Sequence, residues 1–256
     1  MRALLLAAGM GLRLLPITAT TAKCMVEING RPLLDYWLEL LFHGGVERVL
    51  VNTHWLEHQV IGFVRASRWA ARVDLVHEEE LLGTGGTVLA NRGWFAGQPF
   101  VVAHADNLTD FDVRGFIEAH RRRPADCAIT MLGFRTDAPR SCGILELDDR
   151  GTVTAFYEKV DDPPGNLANG AVYLFEPEVV EAIASFGRPV VDLSTEIIPR
   201  FIGRIICVET HGYHRDIGTP ESLARAIADT APRRSSRATP NGRPGGWRCA
   251  WPPGDR

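Results

Sequence analysis

The sequence has no run of about 18 consecutive apolar residues, which excludes a membrane-spanning helix. Cysteine is scarce: Cys24, Cys127, Cys142, Cys207 and Cys249 are the five in 256 residues, and no two form a CxxC pair. An odd number at such spacing indicates neither a disulfide framework nor a zinc site. Reduced thiols fit a cytoplasmic protein. The eight histidines show no HExxH or related metal spacing, so none is assigned a catalytic role. A P-loop is missing, because no GxxxxGK is followed by Ser or Thr. The dinucleotide fingerprint GxGxxG fails at its third glycine, where Leu14 stands, and this disfavours a nicotinamide-dependent oxidoreductase. Nor is there a dominant charge. With 28 basic and 31 acidic residues the net charge is −3, and nothing global calls for nucleic acid or a membrane as partner.

What is there reads as an ordinary folded chain, 45% hydrophobic and 23% charged. The opening MRALLLAAGMGLRLLP could pass for an export signal. Its apolar run is interrupted by glycine and ended by Arg13, so we read it as part of the fold. Residues 231–256 differ from the rest. They hold six Arg against one Asp, with five Pro and four Gly, and show no helical or strand period. This segment is expected to be a disordered basic tail, its charge solvated rather than bound to nucleic acid.

Before the tail, short apolar runs alternate with helical patterns. Strands are expected at Ala3–Ala7, Arg48–Asn52, Val73–His77, Val101–Ala105 and Cys127–Phe134. Helices are expected after Pro32, over Leu56–Arg65 and over Phe111–Arg122. In the first, Leu33, Tyr36, Trp37, Leu40 and Leu41 share a face. The alternation predicts an α/β fold, a Rossmann-like doubly wound mixed sheet with helices on both faces. From about residue 142 the texture changes. GILELDDRGTVTAFYEKV reads as two strands around a turn, PPGNLANG as a loop and Ala171–Phe175 as a strand. Pro177–Ser185 and Leu193–Phe201 read as helices, Ile205–Glu209 as a strand, and Thr219-Pro220-Glu221 as the start of a last helix to about Asp229. Residues 1–230 thus form one core carrying a small lobe.

In such a sheet ligands lie beyond the carboxyl ends of the strands. Four segments meet that condition. Ala7-Ala8-Gly9-Met10-Gly11 follows the first strand, with Arg13 and Lys23 behind it. Glycines there let backbone N–H groups approach a phosphate, and the cations suit a polyphosphate. Leu82-Gly83-Thr84-Gly85-Gly86-Thr87 is a glycine-rich turn before a helical stretch. Asp106-Asn107 ends the run Val101–Ala105. His214-Arg215-Asp216-Ile217-Gly218-Thr219-Pro220 follows another strand, and its histidine and arginine orient the loop. Asp106 and Asp216 can then meet although far apart in sequence.

The first segment, continued, resembles the signature of the sugar-phosphate nucleotidyltransferase family. It reads Gly9-Met10-Gly11-Leu12-Arg13-Leu14-Leu15-Pro16-Ile17-Thr18, then Lys23, then Gly30-Arg31-Pro32-Leu33. Two departures stand out: Leu12 where Thr or Ser is common, and Ala22 where a proline usually precedes the lysine. Ala105 also stands where glycine is frequent. The likeness spans about residues 1–230 and is greatest to guanylyltransferases for mannose or heptose 1-phosphate.

The resemblance implies a nucleotide-diphospho-sugar transferase fold, with a nucleotide-binding part over about 1–135 and a sugar-binding lobe over about 136–230. Arg13 and Lys23 are the implied catalytic cations. Ala7, Ala8, Gly9, Gly11, Gly83, Thr84, Gly85 and Asp106 are implied to bind the nucleotide, the Gly83–Gly85 backbone lying against the base. Asn107, Gly143, Glu158, Lys159 and Asn169 are implied to bind the sugar phosphate. Glu158 and Lys159 are neighbours on a strand and would face opposite ways unless the strand ends or bulges there. Asp106 and Asp216 are the implied ligands of Mg²⁺, a hard cation that accepts two carboxylates, phosphate oxygens and water. The substrates expected are an NTP, with GTP favoured, and a sugar 1-phosphate. The alternatives are uridylyl or thymidylyl transfer to another hexose 1-phosphate, and a weak homologue that binds a sugar nucleotide and regulates a partner. The pattern is compatible with a homo-oligomer.

Overall fold

A computed structural model describes residues 1–231, and the expected tail lies outside the described residues. The first half holds strands β1 (Arg2–Leu6), the short β2 (Glu27–Ile28) and β3 (Arg31–Pro32), then β4 (Arg48–Thr53), β5 (Val73–His77), β6 (Phe100–His104), β7 (Asn107–Thr109) and β8 (Ile129–Arg135). Helices α1 (Leu33–His43), α2 (Glu57–Ala66), α3 (Gly83–Ala90), α4 (Arg92–Phe95) and α5 (Val113–Arg121) alternate with them. The second half holds β9 (Gly143–Leu147), β10 (Val153–Glu158), β11 (Leu167–Phe175), α6 (Pro177–Ala184), β12 (Ile205–Glu209), β13 (His214–Asp216) and α7 (Pro220–Asp229).

The main sheet has nine strands, and its path runs β10-β9-β11-β6-β1-β4-β5, with β8 and β12 attached beside β11. Strands β5, β4, β1 and β6 are parallel, while β11 is antiparallel to β6. Ala3, Leu4 and Leu5 of β1 are fully buried, as a central strand covered on both faces requires. One face packs under α1, α2 and α5 in a cluster including Leu5, Trp37, Val60 and Phe116. The other packs under α3 and α6 around Leu4, Val88, Phe100 and Ile183. The expected mixed, doubly covered sheet is therefore present. The chain runs from β1 out through β4 and β5, then returns to β6 on the other side of β1. This reversal opens a crevice beyond Leu6 and His104, which are register partners.

Several local expectations need correction. The segment Leu82–Thr87 is not a turn before a helix; the helix itself begins at Gly83. The chain Pro189–Val191 lies against it, and a Cβ on Gly86 would meet Pro189 O at 2.1 Å. Leu167–Gly170 is not a loop but the first half of β11, bulged between Asn169 and Tyr173 with Ala171 at φ 52°. Leu193–Phe201 is not one α-helix. A π turn (Leu193–Ile197) passes into a 3₁₀ turn (Ile198–Phe201), because Pro199 has no N–H to continue an α ladder. In α1 the fully buried face is Leu33, Leu34, Trp37, Leu38 and Leu41, turned slightly from the expected stripe, and Tyr36 and Leu40 sit at its margin. The other expected strands and helices lie within a few residues of their expected places, while the short elements β2, β3, β7, β13 and α4 were not foreseen.

Candidate functional site

The loop after β1 is shaped for close approach. Gly11 has φ 66°, and a Cβ there would lie 2.8 Å from Thr18 Cγ2 and 3.3 Å from Lys23 Cβ and Cγ. Only glycine lets the loop fold back onto the lysine stem. Thr18 Oγ1 donates to Gly11 O at 2.8 Å and closes the turn. Lys23 is 8% exposed. Ala22, in place of the stiffening proline, gives its N–H to Gln59 Oε1 at 2.9 Å, and Gln59 Nε2 donates to Thr20 O at 2.7 Å. A proline could make no such bond, so α2 holds the loop instead. Leu12 is 64% exposed.

The two aspartates come together. Asp216 ends β13, which pairs antiparallel with β7, so that Asp216 faces Asn107, the neighbour of Asp106. Ile217 N–H donates to Asp106 O at 3.0 Å. Beneath them a small cluster of Leu14, Val26, Ile28, Leu108, Ile217 and Leu223 ties the first loop, both short strands and α7 into one block. Helix α7 is fixed by a reciprocal cap between Thr219 and Ser222.

Lys23 Nζ lies 2.6 Å from Asp106 Oδ2 and 3.7 Å from Asp216 Oδ1. Arg13 lies 3.3 Å from Asp216 Oδ2. Gly218 allows this approach, since a Cβ there would be 2.5 Å from that oxygen and 2.8 Å from the guanidinium. Desolvation presses the Asp106 carboxyl upward, but the charge of Lys23 and His104 and the Lys23 hydrogen bond more than offset it and hold the group below its ordinary value. Asp106 is therefore ionised at neutral pH. The two carboxylates reach a single cationic point, as a site for a divalent cation requires. Among the described residues no group of three or more His, Cys, Asp or Glu is arranged to hold a metal. The donor set fits a Mg²⁺ ion completed by phosphate oxygens and water.

A cavity of about 230 Å³ opens beside this cluster. Of the expected nucleotide residues, Ala7, Ala8, Gly9, Gly83, Thr84 and Asp106 line it. Gly11 and Gly85 do not; the Gly85 N–H donates to Val191 O at 2.8 Å, as does that of Gly86 at 3.1 Å. The cavity lining also carries Asn52, Glu78 and His104, for which sequence reasoning found no role, and Thr87 from the glycine-rich segment. Asn52 Oδ1 accepts from Ala7 N–H at 2.7 Å and so fixes the start of the phosphate loop. Glu78 is 6% exposed. Its Oε1 accepts from Asn52 at 2.9 Å and Thr87 at 2.6 Å, and its Oε2 only from Leu82 N–H at 3.3 Å. His104 Nε2 is the one buried side-chain polar atom without a hydrogen-bond partner among the described residues. Burial lowers the pKa of this imidazole, against the pull of Asp106.

None of the expected sugar-phosphate residues lines that cavity: Gly143, Glu158, Lys159 and Asn169 lie in the second half of the chain, and Asn107 opens β7. Gly143 and Glu158 are register partners across β9 and β10, and a Cβ on Gly143 would meet Glu158 Oε2 at 2.6 Å. Strand β10 ends at Glu158, and Lys159 takes φ 52°. The strand end therefore lets the two side chains share a side, with Lys159 Nζ 3.1 Å from Glu158 Oε1. Asn169 is engaged within its own strand, Nδ2 donating to Tyr173 Oη at 2.7 Å and Oδ1 accepting from Ala171 N–H at 2.9 Å. Asn107 is buried at the seam, where its carbonyl accepts from Trp37 Nε1 at 2.8 Å.

An acidic pair, two cations and a glycine loop thus gather where the parallel strands of the mixed sheet reverse, an arrangement with the charges to handle phosphates. The nucleotidyl transferase family model matches residues 2–233, and the chain belongs to that family. A mannose-1-phosphate guanylyltransferase of Mycobacterium tuberculosis is 32% identical over 232 residues, 89% of this chain and 64% of that protein. A glucose-1-phosphate thymidylyltransferase of Streptomyces griseus is 33% identical over 186 residues, 72% of this chain and 52% of that protein. HddC from Yersinia pseudotuberculosis, solved in complex with GMP-PN, superposes with a TM-score of 0.75 at 26% identity, covering 89% of this chain and 98% of HddC. The chain spans about three fifths of the length of the curated guanylyltransferases it matches.

Proposed function

We propose that the chain transfers a nucleotidyl group from an NTP to a sugar 1-phosphate, forming a nucleotide sugar and pyrophosphate. The observation that carries this is the convergence of Asp106, Asp216, Lys23 and Arg13 beside the cavity, which Lys23 and Asp106 line. The sugar phosphate is already an anion at neutral pH, so attack on the α-phosphorus needs no general base. The work left to the protein is positioning and charge neutralisation. Ala8 and Gly9 admit the phosphates, while Lys23 and Arg13 offset the charge that grows toward pyrophosphate. Lys159 draws the attacking phosphate, and Glu158 accepts from sugar hydroxyls. Asp106 and Asp216 would hold Mg²⁺, which supplies Lewis-acid charge at the phosphates when bound. Free cysteines at Cys24, Cys127, Cys142 and Cys207 suit a cytoplasmic setting.

Guanine is the base we favour, with a mannose- or heptose-like sugar. Glu78 supports it: it is a buried carboxylate that makes no ion pair among the described residues. The guanine edge offers adjacent N–H donors to such a group. Uracil and thymine place carbonyl oxygens beside their one N–H, and those repel a carboxylate. The test is pyrophosphate release with Mg²⁺, five NTPs and a panel of sugar 1-phosphates. GTP with a mannose- or heptose-type phosphate should give the fastest release, and Glu78→Gln should lower the preference for GTP over UTP at least about tenfold. Silence across the panel would favour the regulatory reading.

A further inference from the structure

We propose that Lys23 is an internal counter-ion that fills the cation position between Asp106 and Asp216 until a triphosphate draws it away. The free protein then binds divalent metal weakly and takes it up together with the nucleotide. The inference rests on reading the acidic pair as metal ligands.

Three observations lead to it. The first is place: Nζ is 2.6 Å from one carboxylate and 3.7 Å from the other, at the point both can reach. The second is burial. The Lys23 side chain is 9% exposed, against 69% for the Arg13 side chain. Pairing that excludes water is strong, and removing one partner leaves facing like charges uncompensated. The third is freedom of movement. The start of the stem is held beside Gly11, but the remaining carbons of a lysine rotate, and its ammonium is a point charge that can change partners. A triphosphate offers that partner. Its arrival satisfies the ammonium and frees both carboxylates at once, so nucleotide and metal each raise the affinity for the other.

The test is titration of Mn²⁺ into nucleotide-free protein, followed by electron paramagnetic resonance. Lys23→Met should bind the ion at least about tenfold more tightly than the unaltered chain, and Lys23→Arg, which keeps the charge, should bind weakly. Equal or weaker binding by Lys23→Met would overturn the inference, as would equally tight binding by Lys23→Arg. Thermal unfolding guards against poor folding. Mg²⁺ should raise the midpoint of Lys23→Met more than that of the unaltered chain, and an equal rise would count against the inference. Adding Asp106→Asn to Lys23→Met should abolish the tight site. Tight binding that survives it would overturn the reading of the acidic pair itself, on which the inference stands.

Discussion

The two sides of the candidate site hold their polar groups by different means. On the proposed nucleotide side Ala7 follows the buried strand β1 and is held by Asn52, while Ala22 and Lys23 lie in the loop before β2, held by Gln59 and by two aspartates; the Arg13 side chain is largely exposed, at 69%. On the sugar side Glu158 and Lys159 stand at the end of β10, which lies at the edge of the sheet, and the Lys159 side chain is 64% exposed. The difference suits the two tasks proposed for them. Charge neutralisation at phosphorus is strongest from groups shielded from water, as Lys23 is and Arg13 is not. Recognition of a sugar tolerates a softer wall, and a wall on a hairpin can vary without disturbing the phosphate loop.

The contrast can be broken or sharpened by experiment, starting with the largest expected effect. Asp106→Asn and Asp216→Asn should each lower turnover at least about tenfold, more than about 1.4 kcal/mol of barrier. The double variant should lose less than the product of the two, because the residues act as a unit. Steady-state pyrophosphate release measures both, and full activity in either single variant would remove that residue from the site. Next is the sugar wall. Glu158→Gln should raise KM for the sugar phosphate about fivefold to tenfold and leave KM for the NTP unchanged, a split that a general folding defect would not produce.

A third expectation concerns acid. Burial pushes the His214 imidazole down to about 4, against the pull of Asp106, and Nδ1 lies 3.0 Å from Thr109 Oγ1 across the β7–β13 ladder. The folded chain then keeps His214 neutral, whereas the unfolded chain protonates it near its ordinary value of about 6.5. Stability contributed at neutral pH is lost as pH falls from about 6.5 toward 4, on the order of 3 kcal/mol from this residue. Denaturant melts of the unaltered chain and of His214→Gln across that range would show it. The variant should be less stable at pH 7 but flatter with pH, and parallel curves would contradict the assignment.

Much of the nucleotide side was legible because buried parallel strands are written as plain apolar runs, and functional loops follow them at once. Asp106 was legible for the same reason, since it follows the apolar run of β6; Asp216 was expected at a strand end, and it closes β13, a short strand paired antiparallel with β7. Other features were hidden. Gly83, Gly85 and Gly86 read as a flexible turn. They are glycines because the backbone of Pro189–Val191 presses on a helix, a contact more than a hundred residues away in sequence. Glu78 sits in a run of three glutamates that looks solvated, and only the tertiary fold buries it. The bulge in β11 could not be seen from periodicity, since it shifts register without an apolar break. His104 ends an apolar strand and carries no motif of its own.

The most direct test of the account is the stereochemical course at phosphorus. Attack by the sugar phosphate on the α-phosphorus, with no covalent stage on the protein, inverts configuration. A nucleoside triphosphate made chiral at that phosphorus by sulfur should therefore give a nucleotide sugar of inverted configuration, read by phosphorus NMR. Retention would demand a nucleotidyl group carried on a side chain, and it would contradict a site built from two carboxylates and two cations that only position and neutralise.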